Sequence, residues 1–194
     1  MGFLSVLSMA HKWIAERTFP GDTVIDATAG GGTDSLTLAQ LVGANGSLYV
    51  FDIQQEALDR TRERLDGAVQ KNQLPRVKLL LDNHARMAEA LEPSVHGAVA
   101  AIMFNLGYLP GGDETLITQP PSTIAALNAA LSLLRPGGIV TCVLYPGHPG
   151  GADEAATVEG WAAQLPGVEY TTVLYRRTQR QAAPYLIAVE KKQR

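Results

Sequence analysis

Five acidic or amide-bearing positions and two glycine-rich turns carry the chemistry that this chain can do. The run Val24-Ile25-Asp26-Ala27-Thr28-Ala29-Gly30-Gly31-Gly32-Thr33-Asp34 ends a short β-branched segment on an acid and continues into three consecutive glycines. Glycine lets the backbone adopt positive φ and come close to a ligand. A helix opening near Thr33 or Asp34 points its unpaired N–H groups into the same space, which suits a nucleotide-type ligand. The dinucleotide fingerprint is absent, because its third glycine position falls on Ser35. A Walker A loop is also absent, because no Lys-Ser or Lys-Thr closes the turn. Asp52, Asp82 and Asn105 each end a further apolar run, and Pro146-Gly147-His148 ends another.

The elements that must position these residues alternate along the chain. Ser5 to Arg17 has helical apolar spacing, Thr23 to Asp26 reads as a strand, and Asp34 to Val42 as a helix. Leu48 to Phe51 is a second strand ending at Asp52, followed by an amphipathic helix over Gln55 to Lys71. Val77 to Leu81 and Gly97 to Phe104 are the third and fourth strands, ending at Asp82 and Asn105. A helix is expected over Ser122 to Arg135 with Ser122 as its N-cap, then a strand over Gly138 to Tyr145 and a helix over Asp153 to Leu165. Tyr170 to Arg177 and Tyr185 to Lys191 leave no room for a helix between them and are expected to pair as an antiparallel hairpin. The expectation is an α/β, Rossmann-like, doubly wound and mostly parallel seven-stranded sheet with that C-terminal antiparallel hairpin, forming one domain over residues 1–194. In such sheets ligands bind beyond the carboxyl ends of the strands. The acids, amides and glycine turns all fall there.

Composition narrows the classes. The chain has 194 residues, 46% hydrophobic and 18% charged, too apolar for disorder. Its net charge of −3 confers no general affinity for nucleic acid, although six of its 16 Lys and Arg residues fall in the last 19 positions. The lone Cys142, inside an apolar run, reads as a buried structural thiol. The four histidines (His11, His84, His96 and His148) are scattered without ligand spacing, so no metal is expected. No apolar stretch reaches membrane-spanning length, and Met1 to Arg17 lacks the pattern of a signal peptide. A soluble, cytoplasmic protein with no membrane partner is the expectation.

Each strand end has a chemical reading. Asp52 can accept both hydrogen bonds of a ribose 2′,3′-diol, with Ile53 and Gln54 against an adenine ring. Asp82 and Asn83 suit the adenine amino edge, or a cap on the next helix. Asn105, through its amide carbonyl, and Leu106, through its backbone carbonyl, can hold an amine with its lone pair aimed at an electrophile. Tyr108 offers a stacking face, and His148 stands at the same rim.

Asp26-x-Thr28-x-Gly30-x-Gly32, Asp52 and Asn105-Leu106-Gly107-Tyr108 resemble a class I S-adenosylmethionine-dependent methyltransferase, the tetrad resembling the Asn/Asp-Pro-Pro-Tyr motif of amino-group methyltransferases. Phe51-Asp52-Ile53-Gln54, the Phe104 to Asp113 stretch, and Tyr145-Pro146-Gly147-His148 with Gly150-Gly151 and Glu154 resemble, more narrowly, a small bacterial family labelled rRNA methylases. Members of that family are linked to methylation of the aminomethyl group of tRNA wobble 5-aminomethyl-2-thiouridine. The resemblance implies S-adenosylmethionine as cofactor and tRNA as partner. It places Asn105, Leu106, Tyr108 and His148 at the reacting centre, with His148 or Asp113 as proton acceptor. It places the cofactor on Asp26, Ala27, Thr28, Gly30, Gly32 and Asp34 at the first turn, on Asp52, Ile53 and Gln54 at the second, on Asp82, Asn83 and His84 at the third, and on Asn105. Two positions depart from the family pattern: Thr33 stands where relatives usually carry His, and Ala85 where they usually carry Glu. RNA would be bound by the catalytic face itself or by a homodimer. The alternatives are methylation of rRNA or of a small-molecule amine, and a non-catalytic nucleotide- or RNA-binding module, which the intact tetrad disfavours. A dehydrogenase is disfavoured by the missing third glycine.

Overall fold

A computed structural model describes residues 2–68, 70, 72–107, 111, 117–180 and 182–193. Seven strands form one sheet: β1 (Thr23–Asp26), β2 (Ser47–Asp52), β3 (Arg76–Leu81), β4 (Val99–Asn105), β5 (Leu134–Leu144), β6 (Tyr170–Tyr175) and β7 (Tyr185–Lys191). Their order is β3-β2-β1-β4-β5-β7-β6. The pairs among β1 to β5 are parallel, whereas β7 runs antiparallel to β6, as the sequence predicts, and also to β5. The helices are α1 (Val6–Ala15), α2 (Thr33–Val42), α3 (Gln55–Ala68), α4 (Met87–Ala90), α5 (Pro120–Leu133) and α6 (Gly151–Ala163).

Side chains alternate across a strand, so each strand feeds both faces of the sheet. Val24 joins Ile14, Leu38 and Leu65 of α1, α2 and α3 in one core. Its neighbour Ile25 joins Met87, Leu127 and Val158 of α4, α5 and α6 in the other. With both faces covered, β4 has no solvated side, and Val99 to Phe104 are buried without interruption. Cys142 lies in the second core, where burial pushes its thiol well above the ordinary range. No helix among the described residues is long and apolar enough to cross a membrane.

Two local expectations are corrected. Ser122 is not the N-cap of α5, because the helix begins at Pro120 with Gln119 as its cap residue. Proline is tolerated in a first turn, where its missing N–H would have had no partner. Ser122 therefore falls inside that turn and donates its hydroxyl to the Gln119 carbonyl at 3.0 Å. At its other end α5 stops at Leu133, and Leu134 and Arg135 already belong to β5. The connection from β3 to β4 also holds short helical turns at His84–Arg86, α4 and Pro93–Val95, where the sequence reading allows a helix after Asp82 but gives it no bounds. They are too brief to show helical periodicity, yet they bury Met87, Leu91 and Val95 under the sheet.

β1 is the point where the strand order reverses, since β2 and β4 flank it on opposite sides. The carboxyl ends of these strands diverge there and leave a crevice, the usual ligand position in a doubly wound sheet.

Candidate active site at the strand-order reversal

The glycine turn between β1 and α2 depends on glycine at Gly32. Its φ is +76°, and a Cβ there would lie 2.8 Å from the Thr61 Cα of α3. Asp26 holds the turn from below. Its carboxylate accepts the Thr28 N–H at 3.1 Å and the Ser35 hydroxyl at 2.6 Å. Asp26 is fully buried and lines neither cavity described below, and the contacts of its side chain are with the turn itself. Burial, reinforced by the charge of Asp34, raises its carboxyl to about 7.

That elevation has a consequence for stability. The folded chain retains a proton on Asp26 that the unfolded chain, with an ordinary carboxyl, has released. The stabilisation is therefore complete below the ordinary carboxyl pKa and is lost as pH rises through about 7. Asp26→Asn keeps a neutral group of the same shape and escapes the loss. Thermal melts from pH 5 to 8 should show the variant gaining on the parent as pH rises. A melting difference independent of pH would mean that Asp26 does not titrate in this window.

A cavity of about 260 Å³ lies beside this turn. Asp52, at the end of β2, accepts the Gly30 N–H at 3.1 Å on one oxygen and the Gln54 N–H at 2.9 Å on the other. Burial raises its carboxyl, while these backbone donors oppose the rise. Ile53 is 50% exposed and borders the cavity as an apolar ledge. Asp82 accepts the Asn83 N–H at 2.8 Å, and Asn83 in turn accepts the Ala85 N–H at 2.8 Å. The capping role considered for Asp82 thus belongs to Asn83, which is the N-cap of the His84–Arg86 turn. His84 is buried, with Nδ1 3.2 Å from the Ala27 carbonyl oxygen and its ring edge-on to Phe104. Burial lowers its pKa and favours the neutral imidazole.

A second cavity, of about 640 Å³, opens on the other side of the turn. Thr28, Gly30, Asn105 and Gly107 line both. Asn105 is tied to the first turn through its backbone, since its N–H donates to the Thr28 hydroxyl oxygen at 2.7 Å. Its amide nitrogen lies 3.4 Å from Asp34 Oδ2. Leu106 is buried and borders this cavity. His148 comes from the exit of β5 and packs against Gly151, where a Cβ would approach Nε2 to 2.9 Å. The structure thus brings Asn105, Leu106 and His148 to one rim. Tyr108 and Asp113 lie outside the described residues.

Three features of this region are not legible in the local sequence. His11, on α1, places Nε2 2.6 Å from Asp34 Oδ1. Tyr145 borders the larger cavity, and burial raises its hydroxyl pKa with help from the charge of Asp34. Glu154, buried on α6, accepts the hydroxyls of Thr118 at 2.7 Å and Thr123 at 2.6 Å. Thr118 also receives the Gly107 N–H on its hydroxyl and donates its own N–H to the Gly107 carbonyl. Glu154 thereby pins together the two ends of the segment that follows β4. Among the described residues, no three His, Cys, Asp or Glu side chains form a group that could hold a metal ion.

Comparison with known proteins bears on the fold and the family. The family model described as "Putative rRNA methylase" matches residues 48–190. The chain is 39% identical over 190 residues to the chloroplastic tRNA (mnm(5)s(2)U34)-methyltransferase of Arabidopsis thaliana, covering 95% of this chain and 69% of that protein. A crystal structure named as a putative rRNA-methylase from Clostridium thermocellum superimposes with a TM-score of 0.91 at 35% identity, covering 98% of this chain and 100% of that one. A putative methyltransferase from Streptococcus mutans, solved in complex with SAH, gives a TM-score of 0.84 at 30% identity, covering 98% of this chain and 99% of that one. The fold is therefore that of the Rossmann-like methyltransferases, and the chain belongs to the Putative rRNA methylase family.

Proposed function

We propose that this S-adenosylmethionine-dependent methyltransferase, whose family acts on RNA, transfers its methyl group to an RNA amine, namely the aminomethyl group of wobble 5-aminomethyl-2-thiouridine in tRNA. The observation that carries the reading is the position of Asn105, which lines both cavities. The choice of acceptor rests on the similarity to the Arabidopsis enzyme.

The residues present fit the cofactor. The positive-φ glycines leave the first turn open to a close approach, Asp52 offers remaining lone pairs to a ribose, and Ile53 exposes an apolar ledge for a purine. Gln54, Asp82, Asn83 and His84 complete that wall, with Ala27 and Thr28 at its floor. When bound, S-adenosylmethionine supplies an electrophilic methyl group on a sulfonium. Asn105 and the Leu106 carbonyl orient the attacking amine, and this positioning is the principal demand on the protein. Tyr108 is assigned the stacking of the base and His148 a contact at the rim. The whole of residues 1–194 acts as one catalytic domain, working in the cytoplasm.

The deciding measurement is mass spectrometry of tRNA nucleosides after incubation with the protein and isotope-labelled S-adenosylmethionine. The expected product is labelled 5-methylaminomethyl-2-thiouridine. Labelled rRNA with aminomethylated tRNA left unchanged would replace this reading with the one in the family's name.

The basic C-terminal region is the proposed RNA contact, and a homodimer would double it. Arg176 has partners within the chain, lying 3.7 Å from Glu159 and 5.3 Å from the centre of the Tyr185 ring. Arg177 and Arg180 are exposed beyond the end of β6. Replacing all three by Ala should weaken tRNA binding and reduce the slope of log K against log salt by about two, from Arg177 and Arg180 at roughly one unit each. Filter binding across a salt series measures it, and an unchanged slope would place the RNA elsewhere.

A further inference from the structure

Glu154, buried in the first turn of α6, uses both carboxylate oxygens, Oε2 for the Thr118 hydroxyl and Oε1 for the Thr123 hydroxyl. An ionised carboxylate only accepts, so each hydroxyl donates its proton to it. The Thr118 hydroxyl oxygen also receives the Gly107 N–H at 3.0 Å. A one-way chain of hydrogen bonds therefore runs from the Gly107 N–H through Thr118 to Glu154. The N–H at its head belongs to the peptide that joins Leu106 to Gly107. That unit is planar and trans, so its N–H and the Leu106 carbonyl point in opposite directions and turn together. The Leu106 N–H is held by the Val143 carbonyl at 3.0 Å, which fixes the chain only up to Leu106. Gly107, at φ +142°, has no side chain to restrain the next rotation. What the Gly107 N–H meets thus decides where the Leu106 carbonyl points.

We propose that Glu154 is a positioning residue for methyl transfer: through the Thr118 hydroxyl it sets the orientation of the Leu106–Gly107 peptide, whose carbonyl receives the acceptor amine. The proposal rests on the reading above, in which the Leu106 carbonyl orients an amine. That carbonyl can align an N–H of the acceptor only while its peptide plane is held, and Glu154 and Thr118 hold the plane from the opposite side. Glu154 itself lines neither cavity, so it acts through Thr118 and not on substrate or cofactor. No proton changes owner in this arrangement, and its whole effect is geometric. Thr123 provides an internal comparison. It ties the same carboxylate to α5, yet it has no bond to Gly107 and lines neither cavity. A role confined to packing would make Thr118 and Thr123 equivalent, whereas the chain to Gly107 makes Thr118 alone matter for transfer.

The test measures single-turnover methyl transfer at saturating S-adenosylmethionine, on an anticodon stem-loop carrying 5-aminomethyl-2-thiouridine. Thermal melts and calorimetry with S-adenosylmethionine run alongside. Thr118→Val keeps the shape and the backbone bond to Gly107 but removes the hydroxyl. It should slow transfer about tenfold, inside the hundredfold range that displacement of a reacting group can cost. Thr118→Ser, which returns the hydroxyl, should restore the rate to within twofold of the parent. Thr123→Val should lower the melting temperature about as much as Thr118→Val and leave the transfer rate within twofold. Glu154→Ala should slow transfer about as much as Thr118→Val, and the double variant should be no slower than either, because one chain is cut twice. If Glu154→Ala does not fold, the contrast between Thr118→Val and Thr123→Val decides alone. A rate for Thr118→Val within threefold of the parent overturns the proposal. So does a loss of rate in Thr123→Val equal to that in Thr118→Val, or losses that multiply in the double variant. If the parent ignores this stem-loop but methylates another amine, the tRNA reading alone fails, and the same rates are read on that amine. Transfer to a ring carbon, which brings no N–H to the Leu106 carbonyl, removes both.

Discussion

Asn105→Ala is expected to lower turnover by about two orders of magnitude while leaving S-adenosylmethionine affinity nearly intact, because misorientation of a reacting group costs a positioning effect of that size. The substitution removes only the side-chain amide. The backbone N–H of Asn105 still donates to Thr28, so the β4 exit keeps its link to the first turn. The amide nitrogen itself lies 3.4 Å from Asp34 Oδ2 on the wall of the larger cavity. Single-turnover kinetics at saturating cofactor isolates the transfer step, and calorimetry reports cofactor affinity separately. A single-turnover rate within threefold of the parent would take Asn105 out of the mechanism. A large loss of affinity with an unchanged rate would move it to the cofactor side of the crevice.

Asp52→Ala should cost about 1.5–3 kcal/mol of cofactor affinity, the range for hydrogen bonds to a charged group, which is roughly ten- to hundredfold in Kd. The geometry makes the upper end the expectation. The Asp52 carboxylate holds the Gly30 and Gln54 N–H groups at once, so its removal loosens the glycine turn as well as deleting the proposed ribose acceptor. Asp52→Asn separates the two effects, because an amide keeps one acceptor oxygen and can restrain one of the two backbone groups. It should fall between the parent and Asp52→Ala in both melting temperature and affinity. Calorimetry at a temperature where all three proteins are folded is the measurement. Equal affinities would reduce Asp52 to a residue that shapes the turn.

Much of this molecule can be read from its amino-acid sequence by local argument. The strand at Thr23–Asp26, the glycine turn and the C-terminal hairpin stand where pattern and spacing put them, because short β-branched or apolar runs and a cluster of glycines act over a few neighbours. The convergence of Asp52, Asn83 and Asn105 on one crevice follows from topology alone, since parallel strands deliver their carboxyl ends to the same edge. The tertiary structure decided what each of these groups can still do. Asp26 reads from sequence as a cofactor ligand, yet full burial and the Ser35 hydroxyl make it a support for the turn. Asn83 instead of Asp82 caps the turn after β3, a choice set by backbone angles that composition does not encode. The pairing of His11 with Asp34 across 23 positions, and of Glu154 with Thr118 across 36, joins separate helices and loops. Such contacts leave no periodic trace in the chain, because they are set by the packing of elements on a common sheet.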